Sequence, residues 1–197
     1  MTASAEPVFF YDLSSPYAYL AAERIDAVLP LQARWQPIVF GALLRARGRT
    51  PWSLQDETRG PGQAEVAARA RERGLPAVRW PDGWPAESYS VTPLRAVLHA
   101  QEQGRGKELT LALYRAEFAE GRALDDLDAV LSAVEACGLD PDDVRKGVQR
   151  QEIKDSLRAA TDDAIARGVP GVPTIAVGDE LYWGDDRLEE AAAALSA

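Results

Sequence analysis

The sequence predicts an α/β fold whose sheet is assembled from both ends of the chain, with an all-helical segment inserted between them. Three observations carry this. Residues 9–13, Phe-Phe-Tyr-Asp-Leu, end abruptly at polar punctuation and pass directly into a helical pattern, after which residues 32–40 alternate as a second strand does. Residues 172–177 and 181–183 are two further apolar runs parted by Gly178-Asp179, the pattern of a hairpin. Between these ends, from about 92 to 167, the apolar residues recur at helical spacing.

Taken in order, residues 7–13 form the first strand and residues 15–29 a helix that Pro30 ends. Ser15 suits the N-cap and Pro16 the first helical position, and Tyr17, Ala21, Ile25 and Val28 share one face. The second strand, residues 32–40, alternates around Ala33, Trp35 and Ile38 with Pro37 near its end. A helical connection makes the two strands parallel. Ser15 therefore stands at the positive end of a helix dipole, on the carboxyl end of a strand, where open α/β sheets place their chemistry. Taken alone, Ser15-Pro16 reads more simply as a plain helix cap than as a functional site.

From 41 to 93 the pattern breaks up around Pro, Gly and Trp, with one helix at 63–73. A structureless stretch of that length is unusual, so it reads as a wall over a site. Between 45 and 59 four arginines face only Asp56 and Glu57, which makes either a solvated loop or a rim that receives an anion through forked guanidinium donors. Trp80, Trp84 and Tyr89 either line an aromatic pocket or anchor the loop in the core. Helices follow at 92–103, 107–120, 127–136 and 148–167. His99 has no acid or nucleophile near it in sequence and is expected to be structural and partly exposed. The acidic runs 125–128 and 140–143 read as helix N-terminal charges, without the register of a calcium loop. After the hairpin, Asp185 or Asp186 is expected to cap the last helix.

Composition sets further bounds. With 197 residues, 46% hydrophobic and 27% charged, the chain can bury a full core, and no apolar run approaches the roughly 20 residues of a membrane span. The first residues lack the basic and apolar regions of a signal peptide, so the expected location is cytoplasmic. A net charge of −9 argues against a nucleic-acid partner. Cys137 is the single cysteine, which excludes an internal disulfide or a Cys-x-x-Cys reaction; it reads as a buried or C-terminal helical thiol. One histidine and no cysteine pair make a zinc site improbable.

The capped first helix, the long helical region, Val172-Pro173-Thr174 opening a strand, the hairpin and the final helix together resemble the thioredoxin superfamily. The resemblance implies a thioredoxin-like sheet over 1–40 and 168–197, a helical insertion over 41–147 and a joining helix over 148–167. It also implies a cis Pro173 beside Ser15. Where that superfamily carries Cys-x-x-Cys, this chain has Ser15-Pro16-Tyr17-Ala18. More narrowly, the sequence resembles the 2-hydroxychromene-2-carboxylate isomerases and kappa-class glutathione transferases. Asp12, Ser15, Pro16, Tyr17, Tyr19 and Leu20 match their Asp-x-x-Ser-Pro-[Tyr/Phe]-x-[Tyr/Trp]-Leu. Gly168, Gly171, Val172, Pro173 and Thr174, then Gly184, Asp186 and Arg187, match Gly-x-x-Gly-[Val/Leu]-Pro-Thr and Gly-x-Asp-Arg. Trp183-Gly184 leans toward the isomerases.

The resemblance implies glutathione as cofactor, its sulfur at Ser15, its cysteinyl unit on Val172 beside Pro173, and its γ-glutamyl end against Trp183, Gly184, Asp185 and Asp186. Ser15 then stabilises a thiolate and is not itself a covalent nucleophile, because no His and acid stand beside it. An anionic aromatic substrate is expected against Arg45, Arg49 and Trp84. The family's Gly-Ala-x-x-Lys-x-x-Gly-Asn-x-Pro-Pro reads here Gly41-Ala-Leu-Leu-Arg45-Ala-Arg-Gly48-Arg49-Thr-Pro51-Trp52, so Arg45 keeps the charge while Arg49 replaces an Asn. That departure touches substrate identity. The expected activity is reversible thiolate addition in an isomerisation; the alternatives are a glutathione transferase that conjugates electrophiles, and a non-catalytic thioredoxin-fold binding module or chaperone. A homodimer is also implied.

Overall fold

A computed structural model describes residues 6–86 and 88–196. Four short strands form one mixed sheet in the order β2-β1-β3-β4. β1 (Val8–Tyr11) and β2 (Arg34–Pro37) are parallel, with Phe9 opposite Trp35. β3 (Thr174–Val177) runs antiparallel to β1 with Ile175 opposite Phe9, and β4 (Glu180–Trp183) closes the hairpin. Both ends of the chain therefore meet in one thioredoxin-like sheet, with helices between β2 and β3.

Because side chains alternate along a strand, β1 feeds two apolar clusters. Phe9 and Tyr11 point into the larger one, which continues through α1 (Pro16–Ala22), α5 (Val91–Glu102) and α6 (Gly106–Phe118) by way of Leu20, Leu94, Val97 and Leu113. Val8 and Phe10 point into the other, with Leu43 of α3 (Phe40–Ala46) and Ala164 of α9 (Gln151–Ala166). The larger cluster also takes in Val130 of α7 (Leu127–Ala136) and Val144 of α8 (Pro141–Gly147).

Several elements differ from the sequence reading. The expected helix 15–29 is two helices, α1 and α2 (Ile25–Val28), interrupted at Glu23-Arg24. Both residues of the break are held from outside: Arg115 donates to both Glu23 carboxylate oxygens at 2.7 and 2.8 Å, and Arg24 donates to the Asp185 carbonyl at 3.3 Å and pairs with Glu189. β2 ends at Pro37, which has no N–H for the ladder, and Phe40 begins α3 instead of closing a strand. α4 (Asp56–Glu72) starts seven residues before the expected 63, carrying Gly60-Pro61-Gly62 inside it. Gly62 is required there, because a Cβ would lie 2.3 Å from the Trp52 ring.

The expected helix 148–167 is preceded by a separate helix, α8, whose N-terminus Asp140 caps by accepting from the Asp142 N–H at 2.9 Å. His99 is corrected from partly exposed to buried. α8 brings Asp143 within 2.8 Å of its Nε2, and Gly147 leaves room for the ring, since a Cβ there would stand 2.4 Å away. Neither Asp185 nor Asp186 caps α10 (Leu188–Leu195); both sit in the 3-10 turn before it, and the N-cap position is Arg187. Among the described residues no helix is long and apolar enough to cross a membrane.

Candidate active site

The carboxyl end of β1 organises the site through one buried carboxylate. Asp12 is 1% exposed; its Oδ1 accepts from the Ser14 N–H at 2.9 Å and the Ser14 hydroxyl at 3.0 Å, and its Oδ2 accepts from the Phe40 N–H at 2.7 Å. One side chain thus ties the start of α1 to the start of α3, the two walls of the site. Burial pushes the Asp12 carboxyl above its ordinary range, against the opposing pull of these donors. Tyr114 fastens the same corner, its hydroxyl donating to the Asp12 carbonyl at 2.8 Å.

Ser15 follows at the N-cap of α1, with Pro16 in the first turn. Its Oγ accepts from the Ala18 N–H at 3.2 Å and donates toward the Val172 carbonyl at 3.5 Å, the outer limit of a hydrogen bond. The cap is firm and the outward hydrogen is loosely held. The Val172–Pro173 peptide is cis, and β3 begins only at Thr174, so the Val172 backbone stands ahead of the strand ladder. Ser15, Val172 and Pro173 open together on one cavity of about 870 Å³.

Nine of the ten residues singled out from the sequence line this cavity: Ser15, Arg45, Arg49, Val172, Pro173, Trp183, Gly184, Asp185 and Asp186. Their states differ. The Arg49 guanidinium lies 5.1 Å from the centre of the Trp183 ring and donates to the Pro170 carbonyl at 3.1 Å, closing the rim. Trp183 reaches that position over Gly171, where a Cβ would stand 2.6 Å from its Nε1. Arg45 is exposed and enters no ion pair among the described residues. Arg49 enters no ion pair either, but its guanidinium is engaged by Pro170 and Trp183, so among the described residues Arg45 is the rim cation whose side chain has no partner.

Two expectations are corrected. Trp84 does not line the cavity: it is 7% exposed and packs between Trp80 and Trp52, with ring centres 4.4 and 5.7 Å away. Trp52 presents the aromatic wall instead, edge-on to Tyr17 at 6.0 Å. The Asp185 carboxylate, 1% exposed, is already spent on the C-terminal end of α4, on Arg69 at 2.6 Å and on Arg73. Its carbonyl accepts from Arg24, so its backbone N–H and the exposed Asp186 remain for a ligand. Arg69 also meets Glu65 at 2.6 Å and Asp186 at 3.6 Å, and its guanidinium lies over the Tyr17 ring. The Tyr17 hydroxyl donates to Glu65 at 3.1 Å, and burial, with Glu65 beside it, pushes its pKa up to about 12, so it remains a neutral donor.

Tyr17, Trp52, Glu65, Arg69 and Ser88 are cavity residues that the sequence reading did not assign to the site. Glu65 and Arg69 carry only the i,i+4 signature of a helix pair, which says nothing about what the pair faces. Tyr17 sat in a matched motif. Ser88 had no local signal.

Comparison with known proteins agrees with this architecture. The chain is 27% identical over 194 residues to a 2-hydroxychromene-2-carboxylate isomerase of Sphingobium xenophagum, covering 92% of this chain and 93% of that protein. It is 26% identical over 191 residues to one of Pseudomonas putida, covering 91% and 89%. Among solved structures, a 2-hydroxychromene-2-carboxylate isomerase superposes with a TM-score of 0.85 at 22% identity, over 96% of this chain and 94% of that one. The cytosolic disulfide reductase DsbM of Pseudomonas aeruginosa superposes with a TM-score of 0.66 at 19% identity, over 97% and 98%. The DSBA-like thioredoxin domain family matches residues 8–196, and the chain belongs to that family.

Proposed function

We propose that this protein is a glutathione-dependent isomerase of a 2-hydroxychromene-2-carboxylate-like compound. The observation that carries the reading is the convergence of the Ser15 hydroxyl, the backbone beside cis Pro173 and the free cation Arg45 on a single cavity. The names of the curated relatives support the substrate class.

The residues present fit glutathione. The cavity volume of about 870 Å³ admits a tripeptide and a bicyclic acid together, the Val172 backbone stands free of the ladder, and Gly184 and Asp186 are among the lining residues, Asp186 supplying a carboxylate for an α-amino group. When bound, glutathione supplies a thiolate that adds reversibly to the conjugated substrate. Ser15 keeps its lone pair on the Ala18 N–H and turns its weakly held hydrogen to the sulfur.

An ordinary thiol has a pKa of about 8.5, and lowering it by one unit takes ~1.4 kcal/mol. A helix terminus contributes ~0.3–1 kcal/mol and a hydrogen bond to a charged group ~1.5–3. With α1 ending at Ala22, the Ser15 hydroxyl stabilises the thiolate more than the helix dipole does. Arg45 holds the substrate carboxylate, and Trp52 covers the aromatic ring.

Steady-state turnover of 2-hydroxychromene-2-carboxylate with glutathione tests the reading. Isomerisation with the glutathione concentration unchanged supports it. One glutathione consumed per product shows a transferase, and absence of glutathione binding at millimolar concentration shows a binding module.

A further inference from the structure

Behind the cavity wall lies a carboxyl group with almost nothing to hold it. Glu117 of α6 is 0% exposed; its Oε1 shares a hydrogen bond with the Ser88 hydroxyl, and its Oε2 has no partner among the described residues. No arginine, lysine or histidine of the described residues is paired with it, and Asp12, Tyr114 and Tyr11 face the same interior. Desolvation, with the Asp12 charge added, raises its pKa well above the ordinary glutamate value. An ionised carboxylate there would be uncompensated, whereas a neutral acid needs only one acceptor.

That acceptor is Ser88. A neutral Glu117 donates its O–H to Ser88 Oγ, so the hydrogen of Ser88 is directed away from Glu117. Ser88 lines the cavity that holds Ser15 and Arg45, and its position is fixed by its own N–H, which donates to the Pro85 carbonyl at 3.2 Å.

We propose that Ser88 is a second hydrogen-bond donor of the site, aimed at the substrate oxygen on which negative charge develops, and that Glu117 is the positioning residue that sets its direction. The inference rests on the isomerase reading and deepens it. Addition of a nucleophile to a conjugated carbonyl moves an electron pair onto the carbonyl oxygen, and a donor oriented beforehand stabilises that charge without reorganisation. A carboxylic acid kept neutral by its surroundings is a known way to hold such a donor. No proton has to leave the pair, and every bond of Ser88 and Glu117 survives the cycle.

The test uses the whole chain. Ser88→Ala is expected to lower kcat by about 10²-fold, the scale of one lost oxyanion donor, with glutathione affinity unchanged. Glu117→Leu is expected to lower kcat comparably, and the double variant to be no slower than Ser88→Ala alone. Glu117→Gln, whose amide can donate from the same place, recovers kcat to within a few fold. Infrared spectra at neutral pH should show a protonated carboxylic C=O band that Glu117→Gln removes. Absence of that band, equal loss in Glu117→Gln and Glu117→Leu, or wild-type kcat in Ser88→Ala would each overturn the inference alone. A wild type that turns nothing over with glutathione overturns the isomerase reading as well.

Discussion

Replacing Ser15 by alanine separates the two jobs of one oxygen. As an acceptor, Ser15 Oγ caps α1 through the Ala18 N–H at 3.2 Å, and loss of such a cap costs about 1 kcal/mol of stability. As a donor it has only the 3.5 Å approach to the Val172 carbonyl to give up, so little is lost when it turns to a sulfur. Withdrawing a hydrogen bond to a thiolate is worth ~1.5–3 kcal/mol, which is about one to two units of thiol pKa and roughly 10- to 150-fold in kcat/KM. The assay is the ultraviolet absorbance of the bound thiolate against pH in wild type and Ser15→Ala, with urea unfolding run in parallel to account for the cap. An unchanged titration midpoint in the variant would refute the reasoning, whatever happens to the rate.

The remaining predictions concern the walls. Arg45→Ala should raise KM for an anionic substrate about tenfold, the equivalent of ~1.4 kcal/mol, while leaving glutathione affinity untouched, read from steady-state kinetics and calorimetry. Asp185→Asn leaves Arg69 and Arg73 facing each other without their shared carboxylate, so unfolding by urea should show a loss of ~3 kcal/mol, at the lower end for a broken buried pair because both arginines keep some solvent. Gly62→Ala drives a methyl into the Trp52 ring, 2.3 Å from the new carbon, and should cost ~1–3 kcal/mol and weaken binding of aromatic substrates. The raised Glu117 pKa means that the native state keeps a proton the unfolded chain releases above the ordinary value of 4.5, so stability falls as pH rises from there toward the folded pKa. Glu117→Gln should therefore gain on wild type by roughly 1 kcal/mol per pH unit in that window, measured by denaturant unfolding across pH.

What could be read from the sequence was whatever is encoded locally. Ser15-Pro16 after an apolar strand, Val172-Pro173-Thr174 opening another, and Gly178 in a hairpin each describe their own neighbourhood, and they sufficed to predict a sheet shared by the two chain ends. The exceptions arise where distant residues decide. The break at Glu23-Arg24 goes with Arg115 and Asp185, and the burial of His99 depends on Asp143 and on the missing side chain of Gly147. Trp84 and Trp52 have the same chemistry in the same loop region, and only packing against Trp80 and Tyr17 determines which of them faces the cavity. Asp185 looked like a ligand for an amine because the arginines that neutralise it lie 116 and 112 positions away. Asp12 shows the converse: its motif position was visible, but its role in joining α1 to α3 emerged only with the Phe40 N–H at 2.7 Å.

The most direct measurement is a crystal structure of the chain grown with glutathione. The account predicts the glutathione sulfur within hydrogen-bond distance of Ser15 Oγ, its cysteinyl backbone against Val172, and the space toward Arg45 and Trp52 left for a second molecule. A glutathione found elsewhere, or one whose sulfur points away from Ser15, would contradict it.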